Sequence, residues 1–418
     1  MPKPLTIACI GCGGRGLIYL ELASKQPKRY QVVAAADPCE SRLDRAERYS
    51  ANPDFRRFRD DTEILAEPQL ADVMIIGTQD AQHKEHAIAA MKRGYDLLLE
   101  KPIASNPDDI AEVHLLARRL GRRVMVCHVL RYTAFYRKVK SLIDSGELGD
   151  IVSLNATEGV EAWHYAHSFV RGHWSVAAKS SPMILAKSCH DLDILRWIVG
   201  TKCQSLSSFG GLMHFNQRNK PNGAPARCLS GCPLGDQCIY NADRYLTDKK
   251  RWLFISPLPE DSNESDFREW LHNSPWGLCV YQSGNDVVDH QTVNMLFKGG
   301  ATATFTMTAF EENRHIEIFG TKARLIAGDR IKKGYGCDIL VKPHADNKEA
   351  VTHCIGQSDG GCATHMGGDA SLVDALYDEM RGKDTSAMTS SLEVSVESHR
   401  MAFAAEESRL SGQTFHFE

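Results

Sequence analysis

The chain has 418 residues, a formal net charge of −4 and thirteen cysteines. This length predicts two or three domains, while the slight acidity and the lack of a long basic run argue against nucleic-acid binding. The sequence contains no run of about 18 apolar residues that could cross a membrane. Because the first apolar strand starts within a few residues of Met1, we expect no signal peptide and a cytoplasmic protein. Its cysteines are then expected to be reduced thiols or metal ligands.

The first predicted element is a short apolar strand over residues 5–10, followed at once by a glycine-rich loop and a helix. In this pattern the first glycine permits a tight turn, the second lets the backbone approach a pyrophosphate, and the last lets helix and strand pack closely. The free N–H groups of the helix then face the phosphates. We therefore predict that the loop binds a dinucleotide, the alternative being an ordinary glycine-rich loop. Its residues are Gly11, Cys12, Gly13, Gly14, Arg15 and Gly16.

The second predicted strand, residues 31–36, ends in Asp37. An acidic residue about 20 positions beyond the last glycine accepts hydrogen bonds from the ribose hydroxyls of a bound dinucleotide. The same carboxylate repels a 2′-phosphate, which favours NAD over NADP. Arg42 lies close in the sequence, so NADP stays open as an alternative.

Lys101 lies at the end of a further predicted strand. Apolar runs at residues 71–77, 97–99 and 124–126 alternate with helices, which predicts a parallel sheet. Pro102 stops the strand directly after Lys101, at the carboxyl end where open α/β sheets bind ligands. A lysine there can polarise a hydroxyl and share its proton during hydride transfer. Glu100 is expected to orient this lysine; the alternative for Lys101 is a solvated surface position.

Residues 163–174 concentrate aromatic rings and polar donors. Sugars bind by stacking on aromatic rings while their hydroxyls meet polar side chains. We therefore predict a substrate surface there; the alternatives are an aromatic core segment and a zinc site formed by His164, His167 and His173. The substrate candidates in this segment are Trp163, His167, Arg171 and Trp174.

His190 lies in a sequence that predicts a helix from Cys189 onward. Asp193 follows three residues later and therefore shares a helix face with it. Histidine titrates near neutral pH, and a neighbouring carboxylate can fix its tautomer, which suits a general base for a substrate hydroxyl. The alternative is a structural histidine.

A segment of about 210–280 is rich in Pro, Asn, Gly and Cys and predicts an insertion dominated by loops. Four thiolates around one ion would order such a segment, and zinc is the usual ion for this ligand set. Unligated thiols and an iron–sulfur cluster are the alternatives. The predicted metal ligands are Cys228, Cys232, Cys238 and Cys279.

The last part of the chain predicts an antiparallel sheet and two helices. Residues 286–297 and 301–310 flank Lys298-Gly299-Gly300 and predict a hairpin whose second arm alternates apolar side chains with threonines. Helices are predicted over residues 372–380 and 392–410. The predicted domains are residues 1–127 and 128–418, the second including the insertion.

Several of these motifs together resemble the Gfo/Idh/MocA family of oxidoreductases. The resemblance rests on the glycine-rich loop, Thr78 with His83, Glu100-Lys101-Pro102, residues 145–150 and residues 188–193. It implies an α/β protein with an N-terminal Rossmann domain and a C-terminal α/β domain. The second domain carries the substrate on an open, largely antiparallel sheet that often forms an interface, so a homo-oligomer (dimer or tetramer) is expected.

The resemblance also assigns roles. Lys101 and His190 are the expected catalytic residues, and Thr78, His83 and Glu100 are expected near the cofactor. His128, Arg131, Asp193 and His365 join the substrate candidates, His365 through a segment that resembles the family's His-Gly-Gly-Asp sequence.

Most members of the family oxidise or reduce a carbinol of a sugar or cyclitol with NAD(P). We therefore predict an NAD-dependent oxidoreductase that acts on a secondary hydroxyl of a sugar, glycoside or cyclitol. The alternatives are an NAD-dependent glycoside hydrolase, which oxidises its substrate transiently, and a sensor without turnover. Many relatives carry an aspartate four residues before the histidine, where this chain has Ala186. This departure puts the usual inositol dehydrogenase proton relay in doubt and leaves Asp191 or Asp193 to compensate.

Overall fold

A computed structural model describes residues 3–259, 261–328, 338–355, 367–383 and 389–418. Its contacts divide the chain into two compact units. The first unit contains residues 1–127, 220–283 and 369–396, and the second contains residues 128–219, 284–368 and 397–418. Two segments that the predicted boundary assigns to the second domain, 220–283 and 369–396, thus belong to the first unit.

The first unit is built on a parallel sheet that has six strands in the described residues, in the order β3-β2-β1-β4-β5-β6. The apolar runs form strands because both faces of the sheet are covered, and β4 is buried along its whole length. The strand order reverses between β1 and β4, so the carboxyl ends of these strands frame a ligand crevice. The strands are β1 (Leu5–Ile10), β2 (Tyr30–Ala36), β3 (Arg56–Phe58), β4 (Val73–Ile76), β5 (Asp96–Leu99) and β6 (Val124–Val126).

Helices connect these strands, as the parallel pairing requires. They are α1 (Gly14–Ser24), α2 (Glu40–Arg48), α3 (Asp61–Ala66), α4 (His83–Lys92) and α5 (Pro107–Leu120). The ends of α5 show why the sequence folds this way. Asn106 accepts a hydrogen bond from the backbone N–H of Asp109 (3.0 Å), Pro107 occupies the first turn, and Gly121 ends the helix in the left-handed region.

The insertion has a small apolar core of its own. Tyr245 and Leu271 are fully buried, and the Trp270 and Trp276 rings stack with centroids 5.4 Å apart. Its backbone forms several short 3₁₀ helices and one α-helix, α10 (Glu264–Asn273), which is numbered by its place along the whole chain. Buried apolar side chains of the insertion therefore help to order it.

The second unit is built on an open sheet with nine strands among the described residues, in the order β14-β13-β12-β11-β7-β10-β9-β8-β15. All neighbours pair antiparallel except β7 and β10, which confirms the predicted, largely antiparallel sheet. The strands are β7 (Ile151–Val160), β8 (Cys203–Gly211), β9 (His290–Phe297), β10 (Thr302–Thr308), β11 (Glu312–Gly320), β12 (Ala323–Gly328), β13 (Asp338–Pro343), β14 (Val351–Cys354) and β15 (Phe415–His416).

The predicted hairpin is confirmed as β9 and β10, which pair in the register Phe305↔Val293. Ala303, Phe305 and Met307 are buried on one face of β10. The remaining helices are α6 (Ala134–Asp144), α7 (Ala162–Tyr165), α8 (Met183–Ala186), α9 (Cys189–Val199), α11 (Gly368–Met380) and α12 (Leu392–Ser411). None of the helices in the described residues combines the length and apolarity needed to cross a membrane.

Candidate functional site

The glycine-rich loop between β1 and α1 has the shape of a dinucleotide cradle. Gly11 has a φ of +87°, and a Cβ added there would lie 2.7 Å from the carbonyl carbon of Gly77. A Cβ on Gly16 would lie 2.2 Å from the Gly11 oxygen, so helix and strand pack too closely for any side chain. Beside Gly13, by contrast, no heavy atom of the described residues, apart from those of its chain neighbours and the adjoining helix backbone, lies within 4 Å of an added Cβ. This open side lets a pyrophosphate approach the backbone, so the residues present fit the predicted cofactor.

Asp37 is held rigidly at the end of β2. One carboxylate oxygen accepts the backbone N–H of Cys12 (2.8 Å) and the other that of Cys39 (2.9 Å). Arg42 approaches the same carboxylate at 3.8 Å. Asp37 is buried, and its position after β2 is the one from which an acidic residue reaches the ribose of a dinucleotide. The side chain of Cys12 is buried, so this cysteine contributes its backbone to the loop.

Glu100 lies at the centre of a buried network beside Lys101. It accepts hydrogen bonds from Arg15 Nε (2.8 Å), from the Tyr19 hydroxyl (2.7 Å) and from the Lys101 backbone N–H (3.0 Å). Arg15 also pairs with Asp369 at 2.6 Å. Burial by itself raises the pKa of Glu100, but the charges of Arg15 and Lys101 outweigh it and lower that pKa below its usual value. Glu100 is therefore a carboxylate that fixes the backbone at Lys101.

His83 joins the loops that follow β4 and β5. Its Nδ1 lies 2.6 Å from the Pro102 carbonyl oxygen, and its Nε2 lies 3.1 Å from the Thr78 carbonyl oxygen. The Thr78 hydroxyl contacts His86 Nδ1 at 3.0 Å. Since the first loop carries Thr78 and the second carries Lys101, His83 braces the two loops at the carboxyl ends of these strands.

In the second unit, His190 lies on α9 in a row of buried histidines. Its ring centroid is 5.6 Å from that of His128, which in turn is 5.5 Å from that of His399. Asp193, predicted to share a face with His190, receives two hydrogen bonds from Arg131, at 2.5 and 2.8 Å. Nothing in the sequence singled out His399 beyond its place in a predicted helix.

Asp191 belongs to a cluster of alternating charges that sequence reasoning missed. Arg314 Nε lies 2.7 Å from Asp191 and 2.6 Å from Glu158, and Lys187 lies 3.4 Å from Glu158. Burial raises the pKa of Glu158 although Arg314 and Lys187 act in the opposite direction. Both candidate substitutes for the missing aspartate, Asp191 and Asp193, are thus ion-paired with arginines.

Most of the aromatic segment is buried. Trp163, His167 and Arg171 are each only 3% exposed, whereas Trp174 is partly exposed. The backbone from Ala166 to Val170 is a π-helix, a form frequent at functional sites. Burial, Arg171 and His173 lower the pKa of His167 to about 3. The burial fits the alternative of an aromatic core segment, and the predicted substrate contacts stay proposals. His365 lies outside the described residues.

The four cysteines of the insertion do not support the predicted zinc. Cys228, Cys232, Cys238 and Cys279 are thiols, and Cys228 Sγ lies 3.7 Å from the Leu278 carbonyl oxygen. Nowhere in the described ranges are three or more His, Cys, Asp or Glu side chains arranged to hold a metal ion. The predicted zinc site therefore gains no support from the described residues.

Two family models match the chain. Residues 5–128 match the oxidoreductase family with an NAD-binding Rossmann fold, and residues 136–326 match the GFO/IDH/MocA C-terminal domain. The oxidoreductase YteT of Bacillus subtilis is 22% identical over 325 residues, which cover 75% of this chain and 73% of that protein. Inositol 2-dehydrogenase 2 of Saccharopolyspora erythraea is 27% identical over 197 residues, 47% of this chain and 54% of the relative. The chain therefore spans about half the length of that dehydrogenase.

Solved structures share the fold along the whole chain. An NAD-binding oxidoreductase from Klebsiella pneumoniae has a TM-score of 0.72 and 18% identity, with 99% of each chain covered. The WlbA dehydrogenase of Bordetella pertussis, solved with NADH and UDP-GlcNAcA, has a TM-score of 0.67 and 16% identity, covering 100% of this chain and 99% of that one. Together with the cradle at Gly11–Gly16 and the two family models, these likenesses show that the chain belongs to the Gfo/Idh/MocA family of NAD-binding oxidoreductases.

Proposed function

We propose that this protein is an NAD-dependent dehydrogenase that oxidises a secondary hydroxyl of a sugar, glycoside or cyclitol. The observation that carries the proposal is the arrangement at the end of β5. Lys101 follows a buried strand, its backbone is held by Glu100, and Glu100 is held by Arg15 of the glycine-rich loop itself. The cofactor loop and the lysine are therefore coupled by one buried carboxylate.

Lys101 has the role of proton acceptor in this proposal. NAD, when bound, supplies the acceptor for the hydride that leaves the carbinol carbon. The Lys101 amine hydrogen-bonds the substrate hydroxyl and accepts its proton during hydride transfer. Glu100 and His83 act on the backbone: the first holds Lys101, and the second braces the loops around Thr78 and Pro102.

His190 is the second proposed catalytic residue, as a group that hydrogen-bonds a substrate hydroxyl and shares its proton. Its support is its place in the family's motif and its neighbour His128, whose ring packs edge-on against it. Arg131 and Asp193 form a buried ion pair in the second unit. Because Asp193 lies on α9 with His190, we propose that this pair fixes α9 beside the substrate.

The substrate class follows from the relatives and from one departure. Matching proteins are named inositol 2-dehydrogenases, and fold neighbours were solved with UDP-GlcNAcA or L-tartaric acid. The position four residues before His190 is Ala186, and Asp191 and Asp193 are both paired with arginines. A proton relay through a carboxylate without an arginine partner is thus not favoured at these positions. From the relatives we propose a polyhydroxylated ring as the substrate class, and the departure at Ala186 argues against assigning inositol in particular.

The test is a panel of inositols, free sugars and nitrophenyl glycosides incubated with NAD and the purified protein. NADH and released nitrophenol are measured in the same samples. The proposal expects net NADH with at least one compound. Release of nitrophenol without net NADH would favour an NAD-dependent glycosidase instead, and NADH binding without either product would favour a sensor.

Lys101→Ala is the matched variant for this panel. It should bind NADH nearly as well as the wild type, since Lys101 lies beyond the phosphate loop, but it should lose turnover. Lys101→Arg should fail as well, because a guanidinium stays protonated and cannot exchange a proton. NADH fluorescence titration and steady-state rates measure the two effects. A near-normal kcat in Lys101→Ala would remove this residue from the mechanism.

A further inference from the structure

Part of the insertion lies directly against the cofactor loop. The ring of Phe254 is so close to Gly14 that a Cβ added to that glycine would meet ring carbon Cε2 at 2.9 Å. Gly14 is the first residue of α1, whose N-terminus faces the phosphates in a fold of this type. Phe254 is 48% exposed and thus covers the loop from the solvent side.

The same stretch also contacts the loop after β2. The Pro257 carbonyl oxygen accepts a hydrogen bond from the Ser41 hydroxyl (3.3 Å) and lies 3.9 Å from Cys39 Sγ. The Ile255 carbonyl oxygen lies 3.5 Å from Arg42 Nη2. The other terminal nitrogen of Arg42 approaches Asp37 at 3.8 Å. Residues 254–257, which we call the clasp, therefore contact both loops that frame the adenosine half of a dinucleotide site.

We propose that the clasp determines cofactor specificity by excluding the 2′-phosphate of NADP. The inference rests on the proposed NAD-dependent function. Enzymes that accept a 2′-phosphate do so with an arginine near the end of the second strand and with hydroxyl or backbone donors around it. Here Ser41 and Arg42 are the donors in that position. Ser41 donates to the Pro257 carbonyl oxygen, and Arg42 contacts the Ile255 carbonyl oxygen and Asp37.

Electrostatics act in the same direction. A 2′-phosphate would approach the Asp37 carboxylate and the backbone carbonyl oxygens of Ile255 and Pro257, which all repel it. The nearby cation, Arg42, already contacts Asp37 and the Ile255 oxygen. NAD carries a ribose hydroxyl at this position, which can donate to Asp37 and needs no cation. The insertion thus gives the site a second barrier to NADP, in addition to Asp37.

The experiment frees the clasp without removing the insertion. Phe254→Ala removes the side chain that packs on Gly14, and Pro257→Gly loosens the backbone that holds Ser41. The dissociation constants of NADH and NADPH are measured by fluorescence titration for the wild type and for the double variant. We expect the preference for NADH to fall by about tenfold, the effect of one recovered charge-assisted hydrogen bond to the phosphate.

Two further variants make the result specific. Adding Arg42→Ala to the double variant should abolish the gain in NADPH binding, because the freed guanidinium provides it. Ile239→Ala, which truncates an apolar residue of the same insertion that is 55% exposed, should leave both dissociation constants unchanged. Thermal unfolding verifies that each variant is folded. If the double variant does not fold, Phe254→Ala alone replaces it, and its preference for NADH over NADPH should fall by less than that of the double variant.

An unchanged ratio in a folded variant would overturn the inference, as would a wild type that prefers NADPH or a gain that survives Arg42→Ala. An unchanged ratio, or a gain that survives Arg42→Ala, leaves the proposed dehydrogenase intact, whereas a wild type that prefers NADPH also contradicts its NAD dependence. A wild type that binds neither NADH nor NADPH would instead overturn the proposed function.

Discussion

Glu100 accepts hydrogen bonds from three groups: the side chains of Arg15 and Tyr19, one turn apart on α1, and the backbone N–H of its neighbour Lys101. The guanidinium of Arg15 also reaches Asp369, so its planar fork holds two carboxylates at once. Arg15 is predicted to contact the cofactor, and this contact stays a prediction. In the structure its guanidinium pairs with Glu100 and so helps to position the Glu100-Lys101 backbone.

Arg15→Lys tests this role. A lysine keeps the positive charge but cannot bridge both carboxylates with a fixed fork. Displacement of Lys101 should then lower kcat by about 10- to 100-fold, the usual cost of a small misplacement of a reacting group. NADH binding should change little by comparison. Steady-state kinetics and NADH titration measure both, and an Arg15→Lys variant with wild-type kcat would contradict the positioning role.

Asp37→Ala tests the origin of cofactor preference at a single residue. Removing the carboxylate removes the repulsion of a 2′-phosphate and should narrow the gap between the NADH and NADPH affinities. The variant also loses the acceptor for the backbone N–H groups of Cys12 and Cys39, so NADH itself should bind less tightly. Titration with both nucleotides decides the matter; an unchanged ratio of affinities would show that Asp37 does not discriminate.

His167 should make the second unit sensitive to acid. Its pKa is lowered to about 3 in the folded chain, while an unfolded chain protonates histidine near the usual value of about 6.5. Between these values the unfolded state binds more protons, so the free energy of unfolding falls as the pH falls, by up to about 1.4 kcal/mol per pH unit.

Denaturant unfolding at pH 7 and pH 5 measures this dependence. His167→Asn removes the titrating group, so its loss of stability between the two pH values should be smaller than that of the wild type by about 2 kcal/mol. His416→Asn, at an exposed position, is the control. Equal pH dependence in the wild type and His167→Asn would show that another group dominates.

At the scale of elements, the turn from β1 to α1 offers two glycines with opposite surroundings. A methyl on Gly16 collides with the Gly11 oxygen, whereas a methyl on Gly13 enters open space. Gly16→Ala should therefore lower the thermal midpoint and weaken NADH binding together. Gly13→Ala should leave the midpoint nearly unchanged but raise the NADH dissociation constant by tenfold or more, about 1.4 kcal/mol, because the backbone there must approach the pyrophosphate.

Thermal unfolding and NADH titration on the same preparations separate the two effects. If Gly13→Ala kept wild-type affinity, the open side of the loop would not be the phosphate site.

Elements whose contacts are local were predictable from the sequence. The parallel strands are continuous apolar runs because both faces are buried, and the β9–β10 hairpin shows a period of two because one face is covered. The core of the insertion escaped prediction because Tyr245, Leu271 and Trp276 lie on 3₁₀ helices and one short α-helix, without a common period. The zinc prediction gained no support because the described residues contain no group of three or more His, Cys, Asp or Glu side chains arranged to hold a metal ion.

Site residues that depend on tertiary pairing were not predictable. Arg314 and Glu158 face each other because β11 pairs with β7 in the register Arg314↔Glu158, and no local pattern encodes that register. His399 reaches His128 from a helix far along the chain. Lys101, Asp37 and the glycines were recognisable because each lies at a fixed distance from a strand end.

At the scale of the whole molecule, the chain divides into two units that do not follow the order of the sequence. The unit with the Rossmann sheet gathers the insertion and residues 369–396. Within this unit Asp369 contacts Arg15, and the clasp contacts Gly14. A single domain boundary drawn along the sequence does not predict these two contacts. The expected homo-oligomer and its location in the cytoplasm stay predictions.

In the proposed reaction, a hydride passes directly from a carbinol carbon of the substrate to NAD. The most direct measurement uses a compound that reduces NAD in the panel, prepared with deuterium on its carbinol carbons. The reduced nicotinamide is isolated and analysed by NMR, with Lys101→Ala as the matched control. We expect deuterium on the nicotinamide ring with the wild type and no reduction with the variant. Reduced nicotinamide without deuterium, or equal reduction by Lys101→Ala, would contradict it.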